Sequence, residues 1–165
     1  MNKQADTRVS RAGFNDFAEL ERLEKLCFSE SIQSSKRSLR LSLHSKHQMV
    51  FFIEIRDDKK WRKIGALILY IYKKSLRIYS ICIDPQYRKS GIGASLVNYA
   101  IKLAIRKGFS QVSLEVDQKK EKLVSWYKQF GFVSGSELFD YYGEGMHAYR
   151  MSLAVDSRDI SLKKT

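Results

Sequence analysis

The sequence predicts an α/β fold with a mixed central sheet and helices on both faces of that sheet. Apolar, β-prone runs alternate with amphipathic runs of helical period, in the order β-α-α-β-β-β-α-β-α-β-β. The 165 residues include a single proline and 44% hydrophobic residues, which is enough apolar material for one buried core. We therefore expect one domain over residues 1–155, followed by a polar tail over residues 156–165.

The first half of the chain predicts a strand, two helices and then three strands. The first strand begins at Val9. Apolar side chains recur at helical spacing over residues 15–27, with Asn15 as the expected N-cap. The later elements of this half are a short helix over 35–45 and strands over 49–55, 64–72 and 76–83.

The second half predicts two helices, each followed by strand. A long amphipathic helix is expected over residues 95–107. Residues 111–116 alternate like a half-buried strand. A second helix over residues 119–130 is expected to end at Gly131, because glycine accepts the left-handed conformation of a helix C-cap. Two further strands complete the order.

The segment between residues 84 and 94 has the composition of a phosphate-binding loop. Asp84-Pro85 ends a strand, because proline cannot donate to a ladder and forces a turn. Arg88, Lys89 and a glycine-bearing stretch follow and lead directly into the long helix. Main-chain N–H groups at a helix N-terminus, together with this positive charge, bind phosphate or pyrophosphate.

Two common phosphate motifs do not fit this loop. A P-loop requires Gly-Lys-Ser/Thr after four spacer residues, whereas Lys89-Ser90 precede Gly91 here. A dinucleotide fingerprint requires a third glycine three residues after Gly93, and that position is Leu96. Both classes are therefore excluded.

The remaining pattern is Arg88-x-x-Gly91-x-Gly93. It resembles the acetyl-coenzyme A pyrophosphate loop of the GNAT superfamily of N-acetyltransferases. Within that superfamily, the chain is most similar to the N-terminal protein acetyltransferases, a subgroup that includes the ribosomal-protein alanine acetyltransferases. The other motifs that carry this resemblance over residues 8–154 are Glu24-x-x-Cys27-Phe28, Leu114-Glu115-Val116 with Tyr127 and Gly131-Phe132, and the hairpin segments 140–145 and 148–151.

The resemblance implies acetyl-CoA as cosubstrate, without a metal. The main chain of Ile81, Cys82 and Ile83 would hold the pantetheine arm and polarise the thioester. Lys120 stands where the family usually has an asparagine, and we predict it as a further coenzyme contact. The residues expected to hold the pyrophosphate are Arg88, Lys89, Ser90, Gly91, Ile92, Gly93 and Ala94.

The same resemblance implies two residues for the proton transfers of amide formation. Glu115 would be the general base, acting through a water, and Tyr127 the general acid. Alternatives remain for both: Tyr127 as a buried helix aromatic, and Glu115 as the solvent-facing residue of a strand, with Asp117 as the replacement base.

The sequence gives fewer indications about the residues that bind the acceptor. Phe28, Tyr141 and Tyr142 would contact the acceptor peptide, although the two tyrosines equally suit hairpin packing. His147 occupies a place where the subgroup often has an acidic residue, which leaves acceptor specificity open.

The net charge of +12 is concentrated in one segment. Residues 34–63 contain nine basic and three acidic side chains. This excess fits either solvated helix and turn surfaces or attraction for acidic peptides, ribosomal RNA or the coenzyme phosphates. The sequence contains no recognised nucleic-acid motif.

The remaining composition limits compartment and cofactors. Cys27 and Cys82 suit a reducing cytoplasm better than a disulfide, and the three histidines form no ligand set with them, so we expect no metal site. The sequence has no run of eighteen apolar residues, and its N-terminus lacks the apolar region of a secretory signal. We expect a cytoplasmic protein without membrane association, as a monomer or weak dimer.

The leading hypothesis is an acetyl-CoA-dependent N-acetyltransferase for the N-terminal α-amine of a peptide or protein, with a ribosomal protein as one candidate partner. A second hypothesis keeps the enzyme but takes lysine side chains, polyamines or another small amine. A third is a non-catalytic acyl-CoA-binding or RNA-associated module.

Overall fold

The computed structural model describes residues 6–156 of the chain. The predicted polar tail therefore lies outside the described residues, apart from Asp156. The α-helices and strands are β1 (Thr7–Arg11), α1 (Phe17–Cys27), α2 (Lys36–His44), β2 (Gln48–Asp57), β3 (Lys60–Tyr72), β4 (Ser75–Ile83), α3 (Ile92–Arg106), β5 (Gln111–Asp117), α4 (Glu121–Lys128), β6 (Val133–Gly143) and β7 (Met146–Ala154).

The strands form a mixed sheet in the order β1-β2-β3-β4-β5-β7-β6. β4 and β5 pair in parallel, whereas β1–β2, β2–β3, β5–β7 and β6–β7 pair antiparallel. This confirms the predicted element order and the α/β class. The described chain divides into two compact units, the first comprising residues 6–70 and 80–97 and the second residues 71–79 and 98–156.

The first unit has an apolar core between α1, α2 and the β2–β3 pair. Over β2, the stretch from Met49 to Glu54 is buried without interruption, as expected for a strand that is paired on both edges. Burial of these side chains is the main contribution to the stability of this unit. The largest buried members of the cluster are Leu20, Leu23, Leu39, Val50, Phe52 and Ile68.

The second unit contains β5, α4 and the β6–β7 hairpin. In β5, Val112, Ser113 and Leu114 are consecutively buried, so the predicted alternation of this strand was wrong. The reason is that β5 pairs with β4 on one edge and β7 on the other, and central strands of this kind are covered on both faces. β6 pairs with β7 through two register shifts, and nearly all of its residues are exposed.

The ends of three predicted helices also differ from the structure by two residues or more. Asn15 is not an N-cap: residues 14–16 form a short 3₁₀ turn, and the Gly13 N–H donates to Asp16 Oδ2 at 2.8 Å. α3 begins at Ile92, three residues early, because its small residues at 93 and 94 fit a first helical turn. α4 is two residues shorter at each end than predicted, while Gly131 has the expected positive φ of 93°.

None of the helices within residues 6–156 is long and apolar enough to cross a bilayer.

Candidate active site

The predicted phosphate loop connects β4 to α3 in the first unit. Asp84 Oδ1 accepts from the Gln86 N–H at 3.0 Å, which starts a short 3₁₀ turn over Pro85–Tyr87. The chain then passes through Lys89 (φ 62°) and Gly91 (φ 84°) before α3 begins. A Cβ built on Gly91 would meet no atom within 4 Å, so the space beside this main chain is open. Glycine is therefore required here for its backbone conformation and leaves room for a close ligand approach.

The side chains of the loop hold its main chain in place. Arg88 Nε donates to the Ile83 carbonyl at 3.1 Å, and its Nη2 donates to the Cys27 carbonyl at 3.4 Å. The Ser90 hydroxyl donates to the Tyr87 carbonyl. Two of the guanidinium's five N–H donors make these bonds. The predicted direct contact of Arg88 and Ser90 with phosphate stays a prediction.

The charge around the loop suits an anionic ligand such as a pyrophosphate. The first turn of α3, which includes Ile92, Gly93 and Ala94, contains no acidic side chain. Its main-chain N–H groups lie at the positive end of the helix dipole, and Arg88 and Lys89 add charge of the same sign.

The predicted pantetheine strand and Phe28 also belong to the first unit. Cys82 and Ile83 are buried and Ile81 is half-buried at the end of β4. Phe28 follows α1 in extended conformation, and its carbonyl accepts from Gln33 Nε2 at 2.7 Å. Their roles stay predictions.

Glu115 lies in the second unit between two arginines. Its side chain is 3% exposed; Oε2 lies 2.6 Å from Arg77 Nη2 and Oε1 lies 3.0 Å from Arg150 Nε. The alternative of a solvent-facing glutamate is therefore wrong. Arg77 is charged at neutral pH: burial works against its charge, but Glu115 and then Tyr141 raise its pKa.

Tyr127 is a buried residue of α4. It is 9% exposed, and its ring lies 4.9 Å from Trp126 and 5.9 Å from Phe132, both in edge-on contacts. Burial raises the pKa of Tyr127 to about 12, since the phenolate would lose its hydration. The hydroxyl is accordingly protonated throughout the physiological range.

The structure brings Tyr141 and Tyr142 to the Glu115 ion pairs. The Tyr141 hydroxyl accepts from Arg77 Nη2, and the Tyr142 hydroxyl donates to the Glu115 carbonyl at 3.4 Å. The two rings meet edge-on at 4.8 Å, yet the residues are 39% and 42% exposed. Burial, together with the nearby Tyr141, raises the pKa of Tyr142 to about 12.

The other predicted positions have local structural partners. Lys120 precedes α4 as its N-cap residue, without a side-chain cap bond. Asp117 Oδ1 accepts from the Lys119 N–H at 2.9 Å. His147 Nδ1 accepts from the Asp140 N–H at 2.9 Å, so this histidine orders the β6–β7 turn.

Arg77 and Arg150 were not among the predicted site residues. The strand register explains their position: Arg150 is directly opposite Glu115 in the β5–β7 pair, and Arg77 is opposite Ser113 in the β4–β5 pair. The available signal was a charged residue beside apolar ones in each of three strands, Arg77 in β4, Glu115 in β5 and Arg150 in β7. Such charges are costly unless they are paired, which would have suggested that the three meet.

Comparisons with known proteins support one family. Residues 17–132, well over half of the chain, match the model of the "Acetyltransferase (GNAT) family". N-alpha-acetyltransferase 30 of Homo sapiens is 30% identical over 119 residues, which are 69% of this chain but 32% of the human protein. The chain thus spans about a third of the length of this curated relative.

Solved structures agree on the fold. The ribosomal-protein-S18-alanine N-acetyltransferase from Escherichia coli superposes with a TM-score of 0.78 at 17% identity, covering 92% of this chain and 95% of that one. The spermidine/spermine N-acetyltransferase SpeG from Vibrio cholerae gives 0.73 at 19% identity, over 96% and 97% of the two chains. Identity this low establishes the fold and leaves the acceptor open. With the family match over residues 17–132, these comparisons establish that the chain belongs to the GNAT acetyltransferase family.

Proposed function

We propose that this chain is an acetyl-CoA-dependent N-acetyltransferase that modifies the N-terminal α-amine of a peptide or protein. The observation that carries the proposal is the loop from Arg88 to Gly91. Gly91 has a left-handed conformation with open space beside it, and it immediately precedes the N-terminus of α3. The choice of acceptor is supported by the similarity to a protein named an N-alpha-acetyltransferase.

The coenzyme contacts follow from the main chain. Acetyl-CoA supplies an acetyl group activated as a thioester. The N–H groups of Ile92, Gly93 and Ala94 would bind its pyrophosphate, while the guanidinium group of Arg88 and the ammonium group of Lys89 would neutralise its charge. The main chain of residues 81–83 would orient the arm that carries the thioester, and Lys120 would add a contact.

Glu115 is proposed as the residue that receives the acceptor's proton, through a water. Both carboxylate oxygens already accept from arginines. Oε2 is held by both Nε and Nη2 of Arg77, whereas Oε1 accepts from Arg150 Nε and retains a second acceptor position that a bridging water can use. A carboxylate is a weaker base than an amine, so it takes a proton most readily from an ammonium group of low pKa. It therefore suits an acceptor amine that already has a substantial neutral fraction at pH 7.

An α-amine is such an acceptor. Its pKa of about 7.7 to 8.0 leaves roughly a tenth of the molecules neutral at pH 7, whereas a lysine with a pKa of about 10.4 has fewer than about one in a thousand neutral. The proposed base accordingly matches an N-terminal nitrogen better than a lysine side chain. The net charge of +12 also disfavours polyamines, because the protein repels polycations.

Tyr127 is proposed as a hydrogen-bond donor to the departing sulfur. With a pKa of about 12, it holds its proton about 3.5 units more tightly than an ordinary thiol of pKa about 8.5. Complete proton transfer from this hydroxyl would cost about 5 kcal/mol. Donation of a hydrogen bond stabilises the developing charge without that cost.

The test of the coenzyme loop is Gly91→Val, with Gly108→Val as its matched control. Both glycines have positive φ (84° and 74°) and open space at the Cβ position, so the two substitutions impose the same backbone strain. We expect Gly91→Val to weaken acetyl-CoA binding by about tenfold or more, because its side chain would enter the proposed ligand space. Calorimetric titration measures the affinity, and circular dichroism checks folding.

Equal coenzyme affinity of the two folded variants would overturn the assignment of this loop.

A further inference from the structure

We propose that Arg150 selects acceptors that carry a carboxylate side chain on one of their first two residues. This inference deepens the proposed function and rests on it, because it takes the acceptor amine to lie beside Glu115. Arg150 would contact the acceptor directly and determine its specificity, whereas Glu115 receives the proton.

Arg150 combines a fixed position with unused hydrogen-bond donors. It is directly opposite Glu115 in the β5–β7 pair, and its Nε donates to Glu115 Oε1 at 3.0 Å. Because the Glu115 side chain is only 3% exposed, it holds one edge of the guanidinium in place. The Arg150 side chain is 50% exposed, and Nε is its only atom with a hydrogen-bond partner among residues 6–156. Its Nη1 and Nη2 groups are therefore available to a ligand.

Two arginines around one carboxylate leave an excess of positive charge. Arg77 and Arg150 both form ion pairs with Glu115, so the three side chains together carry one net positive charge. An acceptor peptide adds a further positive charge, because most α-amines are protonated at pH 7. A carboxylate close to that amine would neutralise the excess, whereas a lysine or arginine side chain would increase it.

The carboxylates that follow on the neighbouring strands contact other groups. Asp117 Oδ1 accepts from the Lys119 N–H at 2.9 Å, and Glu137 Oε1 accepts from Gln118 Nε2. In the part of the chain that the structure describes, Arg150 has one ion pair, the one on β5. A carboxylate from the acceptor would therefore add a second ion pair to a half-exposed guanidinium.

The acceptor amine would lie within reach of Arg150. In the proposed mechanism one water joins the amine to Glu115 Oε1, and Arg150 Nε donates to that same oxygen. Two hydrogen bonds of about 2.8 Å each place the amine nitrogen at most about 6 Å from this oxygen. Consecutive Cα atoms are about 3.8 Å apart, so a carboxylate on the first or second residue covers a similar distance. It can therefore meet Nη1 and Nη2 together, the bidentate geometry that guanidinium groups favour.

The first experiment compares peptides that differ in one side chain. All have a free α-amine and an amidated C-terminus, and they carry a single aspartate as the first, second or sixth residue, or alanine at all three. The rate of CoA release measures kcat/KM. We expect aspartate at one or both of the first two positions to raise kcat/KM about fivefold over the alanine peptide. Aspartate at the sixth position should change it less than about twofold, and lysine at the first two positions should lower it.

Arg150→Gln and a matched control separate a local contact from the overall charge. The control is Arg56→Gln: the Arg56 side chain is 55% exposed, forms an ion pair with Asp6 at 3.6 Å and belongs to the first unit. Arg150→Gln should abolish the preference for aspartate, Arg150→Lys should retain part of it, and Arg56→Gln should retain all of it. Each variant is compared by the ratio of kcat/KM for the aspartate and alanine peptides. A general loss of turnover from a displaced Glu115 cancels in that ratio.

Three results would contradict the inference. The first is a wild type that does not prefer aspartate at the first two positions over the sixth, a result that requires no variant. The second is an equal loss of preference in Arg150→Gln and Arg56→Gln, because the effect would then come from the overall charge. The third is a loss of acetyl-CoA affinity in Arg150→Gln of about tenfold or more, which would assign the guanidinium to the coenzyme.

Failure of the proposed function would give a different pattern. If wild type released no CoA with any of these peptides, the proposed acetyl transfer to α-amines would be wrong. Arg150 would then be tested by the binding of the aspartate peptide, labelled at its C-terminal end and followed by fluorescence anisotropy. Its affinity should fall about fivefold in Arg150→Gln and stay unchanged in Arg56→Gln. Equal affinities of wild type and Arg150→Gln would overturn the role of Arg150.

Discussion

β2 and β6 both carry aromatic side chains, but they use them in opposite ways. In β2, Phe51 and Phe52 are 5% and 0% exposed, whereas Phe139, Tyr141 and Tyr142 of β6 are 71%, 39% and 42% exposed. β2 pairs with β1 and β3, while the described pairing of β6 is with β7 and contains two register shifts. This difference indicates that the β2 aromatics stabilise the fold, whereas the β6 aromatics are accessible to a ligand.

The two β6 tyrosines also differ from the β2 phenylalanines in what their polar ends contact. Their hydroxyls join the network of Glu115 and Arg77. Exposed rings attached to a paired, buried carboxylate form a surface with fixed geometry, which suits recognition of a peptide end. Their predicted role in acceptor binding therefore stays a prediction with structural support.

Replacing one phenylalanine of each strand with alanine should give the largest difference in stability between the two regions. Phe52→Ala should reduce the free energy of unfolding by about 3–5 kcal/mol, because it leaves a cavity in the core of the first unit. Phe139→Ala, the matched control on β6, should change it by less than about 0.5 kcal/mol. Urea denaturation measures both. Similar losses in the two variants would remove the contrast between the regions.

Tyr127 combines features of both regions, because its side chain is buried like the β2 phenylalanines and is also proposed to donate a hydrogen bond to the departing sulfur. Tyr127→Phe should lower kcat by about 10² while leaving acetyl-CoA affinity unchanged, since only the hydrogen bond to the departing sulfur is removed. Tyr149→Phe removes a hydroxyl from β7 and serves as the control. If Tyr127→Phe turned over at the wild-type rate, Tyr127 would be a packing residue like Phe52.

A smaller effect of the same burial concerns alkaline stability. The folded pKa of Tyr127, about 12, is above the unfolded value of about 10, so its contribution is fully present below pH 10 and is lost as the pH rises through 12. The stability of wild type relative to Tyr127→Phe should therefore fall by about 1 kcal/mol between pH 8 and pH 11. Urea denaturation at the two pH values provides the difference. A constant difference would show that the hydroxyl is not desolvated.

The sequence predicted the parts of the molecule that depend on local chemistry. The turn at Asp84-Pro85 and the need for glycine at 91 could be inferred because proline and positive φ impose local requirements. The order of helices and strands followed from hydrophobic period. The start of α3 at Ile92 was missed, because a glycine in the first helical turn suggests a loop when only the sequence is considered.

The features that were missed depend on residues distant in sequence. Glu115 was read as potentially exposed because Arg77 and Arg150 reach it only through strand register. The raised pKa of Tyr127 reflects how completely this side chain is buried, which hydrophobic period does not quantify.

The most direct test of the proposed function is to identify which nitrogen the enzyme acetylates. The wild-type protein is incubated with acetyl-CoA and a peptide that carries one free α-amine and one internal lysine, and the acetylated position is assigned by tandem mass spectrometry. A second peptide with a blocked N-terminus is the control, and Glu115→Gln should slow the reaction on the first. We predict acetylation at the N-terminal nitrogen and none on the blocked peptide. Acetylation of the internal lysine alone, in both peptides, would contradict the proposed function.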